Sequence, residues 1–184
     1  IVTWRVSFSE VVANLTADDF ELLGTTAGLA IDNITADAAD LIASGGDLAS
    51  VSGEVSLTFS ASQNIEDIVG NPLLDTTPTG AVESYQLDNT PPVLLAIRRS
   101  APEAEETDAD GLTFELNFSE AVDNVSIDDF IVVGTTATAL LNMVDAETYE
   151  LRLSGGDLPD LTGVVGLNVF AEQDITDVLG NTMS

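Results

Sequence analysis

The chain is written twice. Phe8-Ser9-Glu10 returns as Phe118-Ser119-Glu120, and Asp18-Asp19-Phe20 as Asp128-Asp129-Phe130. Gly24-Thr25-Thr26-Ala27 returns as Gly134-Thr135-Thr136-Ala137. Ser44-Gly45-Gly46-Asp47-Leu48 returns as Ser154-Gly155-Gly156-Asp157-Leu158, and Asp67-x-x-Gly70-Asn71 as Asp177-x-x-Gly180-Asn181. Every offset is 110, and without a gap 29 of 74 paired positions are identical, which is far beyond coincidence. A period of that size exceeds those of solenoid repeats and matches an autonomous domain. The expected division is a first repeat at 1–90 and a second at 91–184. Residues 91–110 have no counterpart ahead of Ile1, and 75–90 have none after Ser184. The first repeat therefore reads as lacking its opening strand and the second as lacking its closing one, a slice of a longer chain.

Each repeat reads as β-structure. Val2, Trp4, Val6 and Phe8 alternate with Thr3, Arg5 and Ser7, and Leu112, Phe114, Leu116 and Phe118 alternate with Thr113, Glu115 and Asn117. Period two means one buried and one wet face. Tyr149, Leu151 and Leu153 repeat the pattern, as do Val165, Leu167 and Val169. Strands are expected at 92–99, 111–118, 130–133, 137–144, 147–153 and 164–170, with the closing one at 81–87 in the first repeat. Gly, Asn, Asp and Ser punctuate between them, and no stretch holds a 3.6-residue period over ten residues. Seven short strands in about 110 residues predict an all-β fold: two tandem immunoglobulin-like seven-stranded Greek-key sandwiches. Phe20 and Phe130 are expected to plug the cores. Trp4, Tyr85, Phe114 and Tyr149 read as core by alternation.

Composition narrows the chemistry. The 184 residues hold 32 Asp+Glu against four Lys+Arg, a formal net charge of −28, with no His and no Cys. All four basic residues are Arg. This excludes His- or Cys-based nucleophilic triads, Cys/His zinc sites, disulfides and lysine Schiff bases. Such a charge repels nucleic acid and anionic membrane. The natural small partner is a cation. A 45% hydrophobic content separates the chain from disordered acidic tails. No apolar run approaches the roughly 18–20 residues of a membrane span, so no membrane insertion is expected. Zero Cys leaves the compartment open.

Taken in order, Phe-Ser-Glu-x-Val, Asp-Asp-Phe, Asp-x-x-Gly-Asn and Leu87-Asp88-Asn89-Thr90-Pro91-Pro92 resemble bacterial immunoglobulin-like extender repeats. These belong to repeats-in-toxin type surface adhesins and biofilm proteins. The resemblance covers nearly the whole chain. It implies a cadherin-like, extracellular stalk whose partners are neighbouring repeats of the same chain, with Ca²⁺ at domain junctions. Two departures stand out. No Gly-Gly-x-Gly-x-Asp nonapeptide is present, and the linker holds fewer acids than a cadherin linker.

The expected topology gathers oxygen ligands. The loops after 111–118 and 164–170 lie at the pole where the 92–99 strand enters, which brings Glu120, Asp123, Asp177 and Asn181 to the linker residues Asp88 and Asn89. Asp47, in the Ser44-Gly45-Gly46-Asp47 loop at the far pole of the first repeat, is expected to face the same junction. Ca²⁺ takes six to eight such oxygens. Glu10, Asp67 and Asn71 form the equivalent half-site of the first repeat. A second candidate is Glu103-x-Glu105-Glu106-x-Asp108-x-Asp110-Gly111, where Glu106, Asp108 and Asp110 recur at every second residue, as in a calcium loop. No Glu stands at its twelfth position, so it is not an EF-hand. The alternative for all of these is solvated loop acids, with Asp and Asn present for turn geometry. The acidity as a whole reads either as cation demand at junctions or as a high-salt surface.

The expected function is a non-catalytic spacer that projects a distant binding domain from a bacterial cell surface. The alternative is a carbohydrate- or ligand-binding sandwich module of a secreted protein. Carboxylate catalysis needs two acids about 5–9.5 Å apart in a cleft, and these acids lie in duplicated loops, so no enzyme is expected.

Overall fold

The computed structural model describes all residues, 1–184, and divides them into two compact units, Ile1–Asn89 and Thr90–Ser184. Both are all-β. Their only helical turns are short 3-10 segments, and no helix is long and apolar enough to cross a membrane.

Unit 1 runs β1 (Val2–Ser7), β2 (Val12–Ala13), β3 (Phe20–Leu23), β4 (Gly28–Asp32), β5 (Ala38–Ser44), β6 (Gly53–Phe59), β7 (Glu66–Asp67) and β8 (Tyr85–Leu87). One antiparallel sheet has the order β1-β5-β4 and another β3-β6-β8, with β2 and β7 forming a short ladder. The alternation along β1 becomes geometry here. Trp4 is buried among Ala43 and Val55, while Thr3, Arg5 and Ser7 are exposed. Leu57 of β6, Leu29 and Leu41 of the facing sheet, and Phe20 share one apolar core. The two sheets therefore pack as a sandwich.

Unit 2 runs β9 (Leu94–Ala101), β10 (Gly111–Phe118), β11 (Val122–Asp123), β12 (Phe130–Val133), β13 (Thr138–Met143), β14 (Thr148–Ser154), β15 (Gly166–Val169) and β16 (Thr176–Asp177). Its larger sheet has the order β13-β14-β10-β9, its second is β12-β15, and β11-β16 is the short ladder. Leu116, Leu151, Leu153 and Ile175 are fully buried in a single cluster with Phe114, Phe118, Phe130 and Tyr149. Each such side chain contributes about 1.5–3 kcal/mol of burial.

The strands at 111–118 and 130–133 fall where alternation puts them. Phe20 and Phe130 are core residues, at 6% and 7% exposure. The 81–87 strand shortens to Tyr85–Leu87. Ahead of it the chain makes a side-chain contact instead of a ladder, the Trp4 indole N–H donating to the Glu83 carbonyl at 3.1 Å. Tyr85 is not a core residue. It is 38% exposed, sets its ring edge-on to Trp4 at 5.1 Å, and sends its hydroxyl to the Thr3 carbonyl at 2.7 Å. Alternation along three residues at a sheet edge does not bury a side chain that is covered on one side only.

Candidate metal centre

The Asp-x-x-Gly-Asn motif folds into the same turn in both units. In unit 2, Asp177 Oδ1 accepts the backbone N–H groups of Leu179 and Asn181, each at 2.8 Å, and Oδ2 accepts the Asn181 side-chain amide at 2.6 Å. Gly180 closes the turn at φ 92°, a conformation glycine adopts without a Cβ penalty. In unit 1, Asp67 makes the same set with Val69 and Asn71. The turn role expected of these acids is thus real, and it also holds their charge. Burial alone pushes the Asp177 carboxyl up. The Asn181 amide and the N–H groups of Asn181, Leu179 and Gly180 outweigh it, and the net shift is below the usual carboxylate value. At Asp67 the Asn71 backbone N–H leads, followed by the Asn71 amide, again with a net lowering.

The two turns differ in depth. Asp177 is 2% exposed, whereas Asp67 is only half-buried. Strand β11 explains the company Asp177 keeps. Val122 pairs with Asp177 across β11-β16, and Glu120 precedes Val122 by two residues. Carboxylate oxygens of Glu120 and Asp177 approach within 4.8 Å. Strand β9 starts at the same end of the unit, since the Val93 N–H donates to the Ser119 hydroxyl at 3.0 Å and the Ser119 N–H to the Val93 carbonyl at 2.9 Å.

Asp123 is exposed in β11, and its charge, after burial, helps raise the Tyr149 hydroxyl above its ordinary value. In unit 1, Asn89 is locked to its own unit, its amide donating to the carbonyls of Leu48 at 3.3 Å and Val51 at 2.6 Å. Asp88 accepts the Ser52 hydroxyl at 3.3 Å. Asp47 ties its loop to the β3–β4 turn of the same unit, accepting the Thr25 hydroxyl and the Thr26 N–H, with Asp157 doing the same for Thr135 and Thr136. Thr25 comes first and the Thr26 N–H second among the groups holding the Asp47 carboxyl low. Glu10 is exposed, and no cluster of three acids gathers around it, Asp67 and Asn71. Glu106, Asp108 and Asp110 are all exposed, and no three carboxylates of their loop converge.

Two further acids do structural work that their place in the Asp-Asp-Phe motif does not announce. Asp19 and Asp129, known from sequence only as neighbours of the core phenylalanines, are 2% and 3% exposed. Asp19 Oδ2 accepts the Thr16 N–H and hydroxyl, and Oδ1 accepts the Asn64 N–H. Asp129 repeats this with Ser126 and Asp174. The signal was Thr16-x-x-Asp19 and Ser126-x-x-Asp129, a capping-box spacing.

Fold and site together define an acidic all-β sandwich protein in which Glu120 and Asp177 of the second unit bring their carboxylates close together. The chain finds no match among protein-family models, curated proteins or solved structures.

Proposed function

We propose that each unit is an immunoglobulin-like Greek-key sandwich, and that the chain is a non-catalytic spacer in a bacterial cell-surface adhesin. On this reading Ca²⁺ binds where one repeat passes to the next and stiffens the passage. The observation that carries it is the Glu120–Asp177 pair. Two carboxylates within 4.8 Å, one of them buried and held in its charged form by its own turn, form an anionic oxygen site that suits a hard divalent cation. Chain connectivity supplies the third ligand. Asp88 lies five residues ahead of Val93, whose backbone is hydrogen-bonded to Ser119 beside Glu120. Five residues span at most about 18 Å, so Asp88 is tethered within reach of the pair. Pro91 and Pro92 restrict the passage further by fixing φ.

The acidic surface fits the same role. At a net charge of −28 a bound divalent cation relieves repulsion as well as bridging ligands.

The test is thermal unfolding in chelator and in millimolar Ca²⁺ at matched ionic strength. Extracellular modules bind at about 10⁻⁴–10⁻³ M. One site filled at tenfold its Kd adds about 1.4 kcal/mol. Asp88→Ala with Glu120→Ala removes the gain. Identical melting in the two buffers refutes the Ca²⁺ reading, and a specific glycan-array signal in its place favours a binding module. Small-angle scattering tests the mechanical part: Ca²⁺ narrows the distance distribution, and an unchanged distribution means the prolines alone set the geometry.

A further inference from the structure

Four asparagines stand in an Asn-x-Ser/Thr triplet with no proline in the middle: Asn14-Leu15-Thr16, Asn33-Ile34-Thr35, Asn117-Phe118-Ser119 and Asn124-Val125-Ser126. That triplet is the acceptor signal for N-linked glycan and belongs on a surface loop. The fold separates the four. Asn14, Asn33 and Asn124 are exposed, each the first residue past a strand, after β2, β4 and β11. They are also the only non-glycine residues of the chain in the left-handed region, at φ 62°, 47° and 63°. A left-handed residue ends the pleat, so these three sit on turns rather than in a ladder. Asn117 is half-buried in β10, paired with Ala96 on one side and Thr148 on the other. Asn14 and Asn124 are equivalent positions of the two units, whereas Asn33 has Met143 as its counterpart, so the third exposed triplet is independent of the duplication.

We propose that Asn14, Asn33 and Asn124 are attachment sites for N-linked oligosaccharide, added to the folded chain, and that Asn117 is not. The transfer presupposes the extracellular reading of the chain, since such acceptors lie on secreted proteins. The Asn14 amide donates to Glu66 Oε1 at 3.0 Å, the Asn33 amide to Asp40 Oδ2 at 2.8 Å and the Asn124 amide to the Thr176 hydroxyl at 3.3 Å. An amide nitrogen carries two N–H groups, so each residue can give up one and keep the hydrogen bond it makes. Thr16 and Thr35 are exposed and Ser126 is half-buried, which leaves the hydroxyl of each triplet within reach of a transferase. The co-substrate is an oligosaccharide carried on a lipid phosphate. The amide nitrogen attacks the anomeric carbon and a C–N bond forms. The bond from that carbon to the phosphate oxygen breaks, the amide loses one proton and the lipid phosphate leaves. Nothing is oxidised or reduced.

The test maps the full chain isolated from the cells that produce it. An acid-specific protease cuts it, because four arginines give trypsin few sites. Electron-transfer mass spectrometry then reads the peptides with their sugars in place. Glycan is expected at Asn14, Asn33 and Asn124, with Asn117 unmodified. Asn14→Gly, Asn33→Gly and Asn124→Gly are each expected to remove one glycan's mass from the intact protein. Glycine adopts the left-handed turn without a Cβ penalty, so loss of the site is not confused with loss of the fold. Protease shaving of intact cells reads the location separately. A chain at the cell surface with all three asparagines bare overturns the glycan sites and leaves the extracellular reading standing. A chain enclosed within the cell and bare overturns both. Occupancy of Asn117 equal to that of the other three overturns selection by the fold and means that transfer precedes folding.

Discussion

Asp18 and Asp19 are neighbours of the same type in the same motif, and the structure gives them opposite weights. Asp18 is exposed, whereas Asp19 is 2% exposed and carries the Thr16 N–H at 2.8 Å, the Thr16 hydroxyl at 3.0 Å and the Asn64 N–H at 3.0 Å. Replacing Asp19 with Ala leaves two backbone donors unmet. An unmet buried donor costs about 1–3 kcal/mol. Both donors lie in partly buried loops that water reaches after truncation, so the expected loss is about 2–4 kcal/mol. Asp18→Ala stays within about 0.5 kcal/mol, as surface substitutions do. Trp4 belongs to unit 1, so its emission during urea unfolding follows the affected unit. With a denaturant slope of roughly 1 kcal/mol/M for a unit of this size, Asp19→Ala moves the midpoint down by about 2–4 M or leaves the unit unfolded in buffer. Coincident midpoints for Asp18→Ala and Asp19→Ala would refute the reasoning, because the two substitutions remove the same charge from adjacent positions and differ in the burial and the hydrogen bonds lost.

Three further outcomes are expected. Gly156→Ala, at φ +59° with a Cβ only 2.6 Å from the Thr136 backbone, destabilises unit 2 by more than Gly155→Ala, whose Cβ meets nothing within 4 Å; the second costs roughly 1–2 kcal/mol for the left-handed backbone alone, and paired melting curves make the comparison. Asp67 and Asp177 both titrate below the ordinary 3.8 in the folded chain, so their stabilisation is present above that value and lost as pH falls through the folded pKa. Asp67→Asn therefore lowers the melting temperature at pH 5–7 and converges on wild type at the acid end, and a gap that instead widens on acidification reverses the assigned sign. Tyr85→Phe removes the hydrogen bond to the Thr3 carbonyl and costs about 0.5–1.5 kcal/mol by urea unfolding, with no cost if water replaces the hydroxyl fully.

The repeated motifs divide into those whose purpose shows in sequence and those whose purpose needs a partner. Gly24-Thr25-Thr26-Ala27 and Ser44-Gly45-Gly46-Asp47 lie some twenty residues apart. Only the fold shows that Asp47 accepts from Thr25 and Thr26, and that a side chain on Gly46 would strike the Thr26 carbonyl. They are two halves of one contact, duplicated because the contact is. The short ladders β2-β7 and β11-β16 escape sequence reading for a related reason, since two residues show no period. The loop at 103–110 misleads in the other direction: carboxylates at every second residue suggest convergence, yet Glu106, Asp108 and Asp110 all point to solvent.

By itself the sequence determined the all-β class, the duplication, the core phenylalanines and the classes of chemistry that a chain without His, Cys or Lys forgoes. Those follow from period-two alternation, from self-similarity and from composition, which are local or additive properties. The tertiary structure alone decided the rest. It buried Asp177 and left its counterpart Asp67 half-exposed, gave Asp19 and Asp129 their distant donors, the N–H groups of Asn64 and Asp174, and drew Tyr85 out of the core. Each of these depends on which distant strand lies alongside. The near donors, Thr16 to Asp19 and Asn181 to Asp177, are the part that local motifs spell; a carboxylate's depth, and any donor from some tens of residues away, depend on the strands packed beside it, and no local pattern carries that information.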